Sequence, residues 1–252
     1  MSDEVNSLII KAKIAEQAER YDEMKEFMKS VVKIHKYQLS LEERNLLSVA
    51  FKNSVGFRRS SLRVINTIAK QQQKRNPEMN MDIINEYEKT VINELSEICH
   101  EIINLLDNEI LSDDSKLNTE AKVFFWKMKA DYFRYLAEFT SGEEHTKSSE
   151  ASAKAYKEAT ELAEELPTTN PVRLGLALNY SVFYYEIANN QTEACQIAKN
   201  AFDNAISQLE TVQDDTYRDS TLIMQLLRDN LTLWSSEQDS KVEKSSPESK
   251  KD

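Results

Sequence analysis

The sequence predicts an all-α protein, and three observations carry that reading. Its 252 residues include only three glycines and four prolines, too few for the turns of a sheet protein. The β-branched-rich alternating runs that mark strands are missing. Apolar residues instead recur at helical spacing through most of the chain, with no fixed period that would mark a solenoid repeat. About nine helices in antiparallel succession are expected over residues 1–236, followed by a tail at 237–252.

Two short amphipathic helices open the chain, Val5 to Ala18 and Asp22 to His35, the first with Leu8, Ala12 and Ala15 on one side. Ser40-Leu41-Glu42-Glu43 reads as a capping box, the serine accepting from the third helical N–H while Glu43 reaches back. The helix it starts runs to about Lys74, and Asn76-Pro77 stops it. Its Leu47, Phe51, Val55, Leu62, Ile65 and Ala69 fall within about 80° of one another and should face the core. Asn45, Lys52, Gly56, Arg59 and Arg63 gather opposite, with Gly56 one turn from both Lys52 and Arg59, where a ligand could approach the backbone. A fourth helix spans roughly Met81 to Leu111 with Ile84, Tyr87, Val91, Leu95, Ile98, Ile102 and Leu105 on its apolar side. Beyond the acidic Ser112-Asp113-Asp114 comes a fifth, Ala121 to Phe139, closed by Ser141-Gly142. A sixth begins around Lys147 and stops before Pro167, and Pro171 opens a seventh through Ala188. Gln191 to Thr211 and Asp215 to Ser236 complete the set. The tail from Glu237 is Ser, Lys, Glu and Asp with one proline; it is too polar to bury apolar surface, and disorder is expected there.

Charge and composition exclude several function classes. Asp and Glu outnumber Lys and Arg by 43 to 32, a net charge of −11, which repels polyphosphate at long range and argues against general nucleic-acid binding. Cys99 and Cys195 are too few for a disulfide framework and read as reduced thiols. No signal peptide or membrane-spanning run is visible, so a cytoplasmic protein with access to the nucleus is expected. Enzyme readings fail early: Glu97-Ile98-Cys99-His100 supplies one Glu-x-x-His, but a di-iron bundle needs a second copy. Glycine-rich phosphate loops, G-x-S-x-G and CxxC are missing, so no catalytic residue, metal or cofactor is expected.

Binding features are stronger. In the fifth helix Lys127, Asp131, Arg134 and Tyr135 form a polar stripe, with Phe124, Phe125, Met128, Phe133 and Leu136 over much of the remaining circumference. Asp131, one turn from both cations, can hold Arg134 while leaving some of its donors free, which suits a phosphate. The seventh helix lines up Gly175, Leu178, Asn179, Val182 and Glu186; the ninth lines up Leu222, Ile223, Leu226, Asn230, Leu233 and Trp234. Each is an apolar strip interrupted by one asparagine, whose amide can grip an extended peptide backbone or, equally, cap an internal carbonyl. Taken alone, the Lys52 and Arg59 stripe is also what a solvated basic face looks like.

The stretch V-F-x-x-K-M-K-x-D-Y-x-R-Y-L-A-E from Val123 to Glu138 resembles the 14-3-3 family of phosphoserine- and phosphothreonine-binding adaptors. So do Glu43 to Ser61, Arg173 to Glu186 and Asp219 to Trp234, and the resemblance extends from about Ile14 to Trp234. It implies a nine-helix, cup-shaped protomer in a homodimer, with heterodimers allowed, whose partners are phosphorylated client proteins. Lys52, Arg59, Arg134 and Tyr135 would then bind the phosphate and Asn179 and Asn230 the peptide backbone. Lys127, Leu178, Val182, Glu186, Leu222, Ile223, Leu226 and Trp234 would line the groove. Arg20, Glu23, Tyr87 and Glu94 match dimer-interface positions, with Glu94 the expected partner of Arg20. Thr90 stands where many members carry a lysine that pairs with the acid at Glu23, and Leu62 replaces the usual tryptophan. Ser61, in Arg58-Arg59-Ser60-Ser61, matches a serine whose phosphorylation opposes dimerisation, whereas Asn190-Gln191 occupies the place of a Ser-Pro phosphosite. The alternative to a phosphopeptide adaptor is a helical scaffold or holdase that binds unphosphorylated amphipathic segments through the same leucine wall.

Overall fold

The computed structural model describes residues 2–75, 81–209 and 216–245. Among them the chain forms nine α-helices and no strand: α1 Ser2–Gln17, α2 Tyr21–His35, α3 Leu41–Arg75, α4 Met81–Leu105, α5 Thr119–Phe139, α6 Gly142–Ala163, α7 Pro171–Glu186, α8 Gln191–Ile206 and α9 Thr216–Ser245. The expected capping box forms at the start of α3: the Ser40 N–H donates to Glu43 Oε2 at 2.7 Å, and the Glu43 N–H donates to Ser40 Oγ at 3.2 Å. Asn170 caps α7 by accepting from the N–H groups of Val172 and Arg173, with Pro171 in the first turn. Asn190 caps α8, its Oδ1 accepting from the Glu193 N–H at 3.1 Å.

Several boundaries differ from the expectation. The α-helical part of α4 stops at Leu105; a π-helical turn, Leu106–Ile110, and a 3-10 stretch, Leu111–Lys116, follow. Leu106 and Ile110 are both fully buried, so the wider turn keeps apolar side chains inward while Asp107 and Asn108, poor helix formers, pass through it. Helix α6 begins at Gly142 rather than near Lys147, since Glu143 and Glu144 suit a first turn. Gly142 has φ +61°, the left-handed conformation expected of a residue closing α5. Helix α8 ends at Ile206, with the Ser207 N–H donating to the Asp203 carbonyl at 3.3 Å. Helix α9 runs past Ser236 to Ser245, because no glycine or proline interrupts residues 237–245. Asn76-Pro77, Thr211, Asp215 and the Ser246-Pro247 step lie outside the described residues.

The chain divides into two compact units. The first comprises Met1–Asn118 with Tyr135–Ser148, and its core is built from Met24, Met28, Val31 and Val32 of α2, Leu47, Phe51, Val55 and Leu62 of α3, and Leu95 and Ile102 of α4. Each such side chain contributes about 1.5–3 kcal/mol when fully buried. The face of α3 expected inside is inside from Leu47 to Ile65, Ala69 being only half-buried, and Leu62 at the tryptophan position is completely enclosed. Tyr87 is the exception on the apolar side of α4, at 63% exposure. The second unit comprises Thr119–Arg134 with Ser149–Asp252, and its core includes Leu174 of α7, Ala194, Ala198 and Ala205 of α8, and Met224, Leu227 and Trp234 of α9. Helix α5 thus gives its first sixteen residues to the second unit and its last five to the first.

Candidate functional site

Within the first unit, the polar face of α3 carries the expected cations. Lys52 is exposed and makes no hydrogen bond or ion pair among the described residues. Two turns on, Arg59 lies with its guanidinium carbon 4.4 Å from the centroid of the Tyr135 ring. Its Nε donates to Glu138 Oε2 at 2.7 Å and its Nη2 lies 2.6 Å from the same oxygen, while Arg63 Nη2 donates to Glu138 Oε1 at 2.9 Å. A Cβ added to Gly56 would meet nothing within 4 Å, so no protein contact requires a glycine there and the space beside it is open.

The second unit places Asp131, 6% exposed, at the centre of a polar cluster. Lys127 Nζ donates to Asp131 Oδ2 at 2.9 Å, Asn179 Nδ2 lies 2.9 Å from each Asp131 oxygen, and the Tyr156 hydroxyl donates to Oδ1 at 2.5 Å. Arg134 Nη2 is 3.5 Å from Asp131 Oδ1, and Arg134 Nε donates to the Tyr156 hydroxyl at 3.1 Å. Burial alone would raise the Asp131 pKa. The charges of Lys127 and Arg134, with the hydrogen bonds from Tyr156 and Lys127, outweigh it and hold the carboxyl below its usual range. Burial pushes the Tyr156 hydroxyl well above the ordinary tyrosine value, so it remains a donor. Glu186 stands 3.9 Å from Arg134 Nη1. A Cβ added to Gly175 would sit 3.7 Å from Lys127 Cε, an ordinary contact distance.

The two asparagines differ in state. Asn179 spends its amide protons on Asp131 and keeps Oδ1 as an acceptor, while the half-buried Asn230 makes no hydrogen bond among the described residues. Leu178, Val182 and Ile223 are partly buried against the core of the second unit, and Leu222 and Leu226 are 63% and 45% exposed. Trp234 is more buried than these wall residues. It is 3% exposed and its ring stacks on Tyr185 with centroids 4.7 Å apart, so most of its surface packs into the core of the second unit.

The interface positions find partners inside the chain. Arg20 bonds Glu23, one turn away, with its Nε donating to Oε2 at 3.0 Å. Glu94 accepts from Arg58 Nε at 3.2 Å, and Arg58 also forks onto Asp22. Thr90 donates its hydroxyl to the Glu86 carbonyl. The Ser61 hydroxyl is exposed and donates to the Phe57 carbonyl at 3.0 Å. Ile10, Ile14, Phe57, Val64, Ile83 and Tyr87 are all more than half exposed on α1, α3 and α4.

No group of His, Cys, Asp and Glu that could hold a metal occurs among the described residues. His100 Nδ1 lies 2.8 Å from the Ser96 carbonyl oxygen of its own helix, and burial pushes the Cys99 thiol far up, so these neighbours make no nucleophile and base pair. No helix among the described residues is long and apolar enough to cross a membrane. Reasoning from the sequence missed Glu138 and Tyr156 as parts of the clusters. Glu138 lay within the quoted motif, but nothing in the sequence marked Tyr156, which lies a whole helix away from Asp131.

A family model described as 14-3-3 protein matches residues 11–235. The chain is also 54% identical over 228 residues to the 14-3-3-like protein GF14-E of Oryza sativa subsp. japonica, covering 90% of this chain and 86% of that protein.

Proposed function

The chain belongs to the 14-3-3 family of non-enzymatic adaptor and regulatory proteins, and from that premise we propose that it is a dimeric adaptor that binds phosphoserine or phosphothreonine segments of client proteins. Lys52, Arg59, Arg134 and Tyr135 take the phosphate. Asn179 and Asn230 take the peptide backbone, and Leu178, Val182, Leu222, Ile223 and Leu226 take its apolar side chains, with Lys127 and Glu186 beside them. The observation that carries this reading is Arg59, placed over the Tyr135 ring and fixed at one edge by Glu138, two turns from Lys52, which has no partner among the described residues. A guanidinium immobilised that way loses little entropy when it binds a phosphate oxygen. The phosphate brings about −1.5 to −2 charge, which the cations of the site complement.

The apolar residues exposed on α1, α3 and α4, Tyr87 among them, support dimerisation through these helices, with Arg20, Glu23 and Glu94 as further interface positions. A dimer would then require Arg20 and Glu94 to exchange their present partners, Glu23 and Arg58; each exposed pair broken or made is worth about 0–1 kcal/mol, so the exchange itself nets close to zero. Phosphate on Ser61 would bring charge to the same face, so Ser61→Glu is expected to dissociate at higher protomer concentration than the unaltered chain in sedimentation velocity. As in the family at large, a cytoplasmic site of action follows, with access to the nucleus.

Exposure of Leu222 and Leu226 favours one second reading, a scaffold that grips amphipathic segments without phosphate. Fluorescence anisotropy of a labelled Arg-Ser-x-pSer-x-Pro peptide and its unphosphorylated twin separates the two. Binding of the phosphopeptide alone, lost in Lys52→Glu, is the expected result. Equal binding of both peptides would replace the phosphate reading with the scaffold.

A further inference from the structure

The second unit holds a cavity of about 360 Å³ between α6, α7 and α8, and none of the candidate peptide-binding residues lines it. Its floor is apolar, with Ala163, Leu174 and Leu176 buried and Ala177, Ile197 and Ala201 half-buried. Its walls are fastened to one another. Thr168 Oγ1 donates to the Asn204 carbonyl at 3.2 Å and to Gln208 Oε1 at 2.8 Å, and Arg173 Nη1 donates to the Leu166 carbonyl at 2.5 Å. The cavity is therefore pre-formed, and its size falls at the small end of the range of ligand sites.

The two ends of the cavity differ. Arg173 is the one cation among the lining residues, and its Nη1 is turned to the backbone that follows α6, where it also donates to the Glu164 carbonyl at 3.4 Å. Two turns along α7, about 10 Å away, begins the other end. There the Tyr180 and Tyr184 hydroxyls lie 3.3 Å apart, and Glu193 of α8 stands beside them. Stacking on Tyr156, with ring centroids 5.0 Å apart, fixes the Tyr180 ring. One bond between two hydroxyls leaves acceptor capacity on both oxygens. Burial raises the Tyr180 pKa first, and the bond to Tyr184 and the charge of Glu193 raise it further, so the field at this end is negative.

We propose that this cavity binds a small organic ammonium, a protonated primary amine on an apolar body of one ring, with the ammonium among Glu193, Tyr180 and Tyr184 and the body over Leu174 and Ala177. Charge complementarity carries the choice. A carboxylate, aromatic rings and hydroxyl acceptors are the groups that recognise an ammonium ion. An anion would meet the carboxylates of Glu164 and Glu193 instead, and the net charge of −11 repels it from a distance. The room beside the head favours a free amine over the lysine of a partner protein, because a lysine stem would leave apolar space unfilled and forfeit its contacts. The site is separate from the phosphate-binding residues and stands whether or not they bind phosphate.

Isothermal titration of the full chain with phenethylamine, phenethyl alcohol and phenylacetate compares one body carrying three heads. The amine is expected to bind at one site per chain, about fivefold or more tighter than the alcohol, with phenylacetate weakest. Glu193→Gln should remove most of that preference. Glu193 is exposed and it is its N–H that Asn190 caps, so the fold does not depend on its carboxylate. Ala177→Leu fills the cavity without changing the net charge and should weaken amine and alcohol together by about tenfold or more. An amine that binds no tighter than the alcohol overturns the proposal. So does an amine whose affinity survives Ala177→Leu, since that is attraction to the net charge alone. Tighter binding of N-acetyl-lysine methylamide than of phenethylamine also overturns it, by assigning the cavity to a side chain of a partner protein. Far-UV circular dichroism checks that each variant keeps its helices, and Glu193→Gln decides the question if Ala177→Leu does not fold.

Discussion

Replacing Tyr156 by phenylalanine removes one oxygen from a side chain that is fully enclosed, and leaves its ring, volume and packing on Tyr180 and Phe183 in place. That oxygen donates to Asp131 at 2.5 Å and accepts from Arg134 Nε at 3.1 Å, so both lost bonds involve a charged partner. Hydrogen bonds to charged groups contribute about 1.5–3 kcal/mol each. Asp131 keeps Lys127, Arg134 and Asn179, so the two losses should not sum fully, and a destabilisation of about 2–4 kcal/mol is expected. The internal comparison is Tyr184→Phe, which removes a half-buried hydroxyl whose bond, to Tyr180 at 3.3 Å, joins two neutral groups. That change should cost about 0.5–1 kcal/mol. Urea unfolding followed by tryptophan fluorescence, at one fixed protomer concentration because association shifts the midpoint, measures both. If Tyr156→Phe is no more destabilising than Tyr184→Phe, the Tyr156 hydroxyl is not a working part of the Asp131 cluster, and the account of how Arg134 is held is wrong.

Other expectations follow from the same geometry. The Asp131 carboxyl is held below its usual range, so its stabilising contribution is fully present above the unfolded-state pKa of about 3.9 and disappears as pH falls below it. The difference in urea midpoint between the unaltered chain and Asp131→Asn should therefore be large at pH 7 and 5 and shrink at pH 3. Ser40→Ala removes the side chain that accepts from the Glu43 N–H and should lower stability by about 1 kcal/mol, read as a drop in Tm. Leu222→Asp, at a position 63% exposed, should change stability by no more than about 0.5 kcal/mol while weakening phosphopeptide binding several-fold by anisotropy. Gly175→Ala should be tolerated, since its Cβ would sit at ordinary contact distance from Lys127 Cε. Gly175→Val should push the lysine stem aside and weaken the same peptide.

Much of this architecture was legible because it is local. The capping box at Ser40 and Glu43, the cap at Gly142 and the two faces of α3 all depend on residues within a few positions of one another, which periodicity and hydrogen-bonding chemistry can read. The Lys127, Asp131, Arg134 and Tyr135 stripe was legible for the same reason, as was the likeness of the surrounding motif to a known family. What stayed hidden depends on which helix packs against which. Tyr156 is one of ten tyrosines, and nothing near it in the chain says that its hydroxyl meets a carboxylate 25 positions away. Trp234 shares the apolar strip of α9 with exposed leucines, and only its packing on Tyr185 decides that it lies inside. The end of α4 was misplaced because apolar spacing continues through Leu106 and Ile110 while the backbone has already changed its winding.

Asp131 takes hydrogen bonds or close ion pairs from Lys127, Arg134, Tyr156 and Asn179, residues from three different helices that all meet one carboxylate. Such an arrangement constrains the routes by which the sequence could drift. Losing any donor alone leaves charge behind in a buried place, and losing the acceptor alone strands two cations, so the penalty of each single step is larger than the penalty of the finished exchange. In an exhaustive mutational library, these five positions should appear intolerant one at a time, yet show strong positive epistasis when altered in complementary pairs such as Asp131→Asn with Lys127→Met.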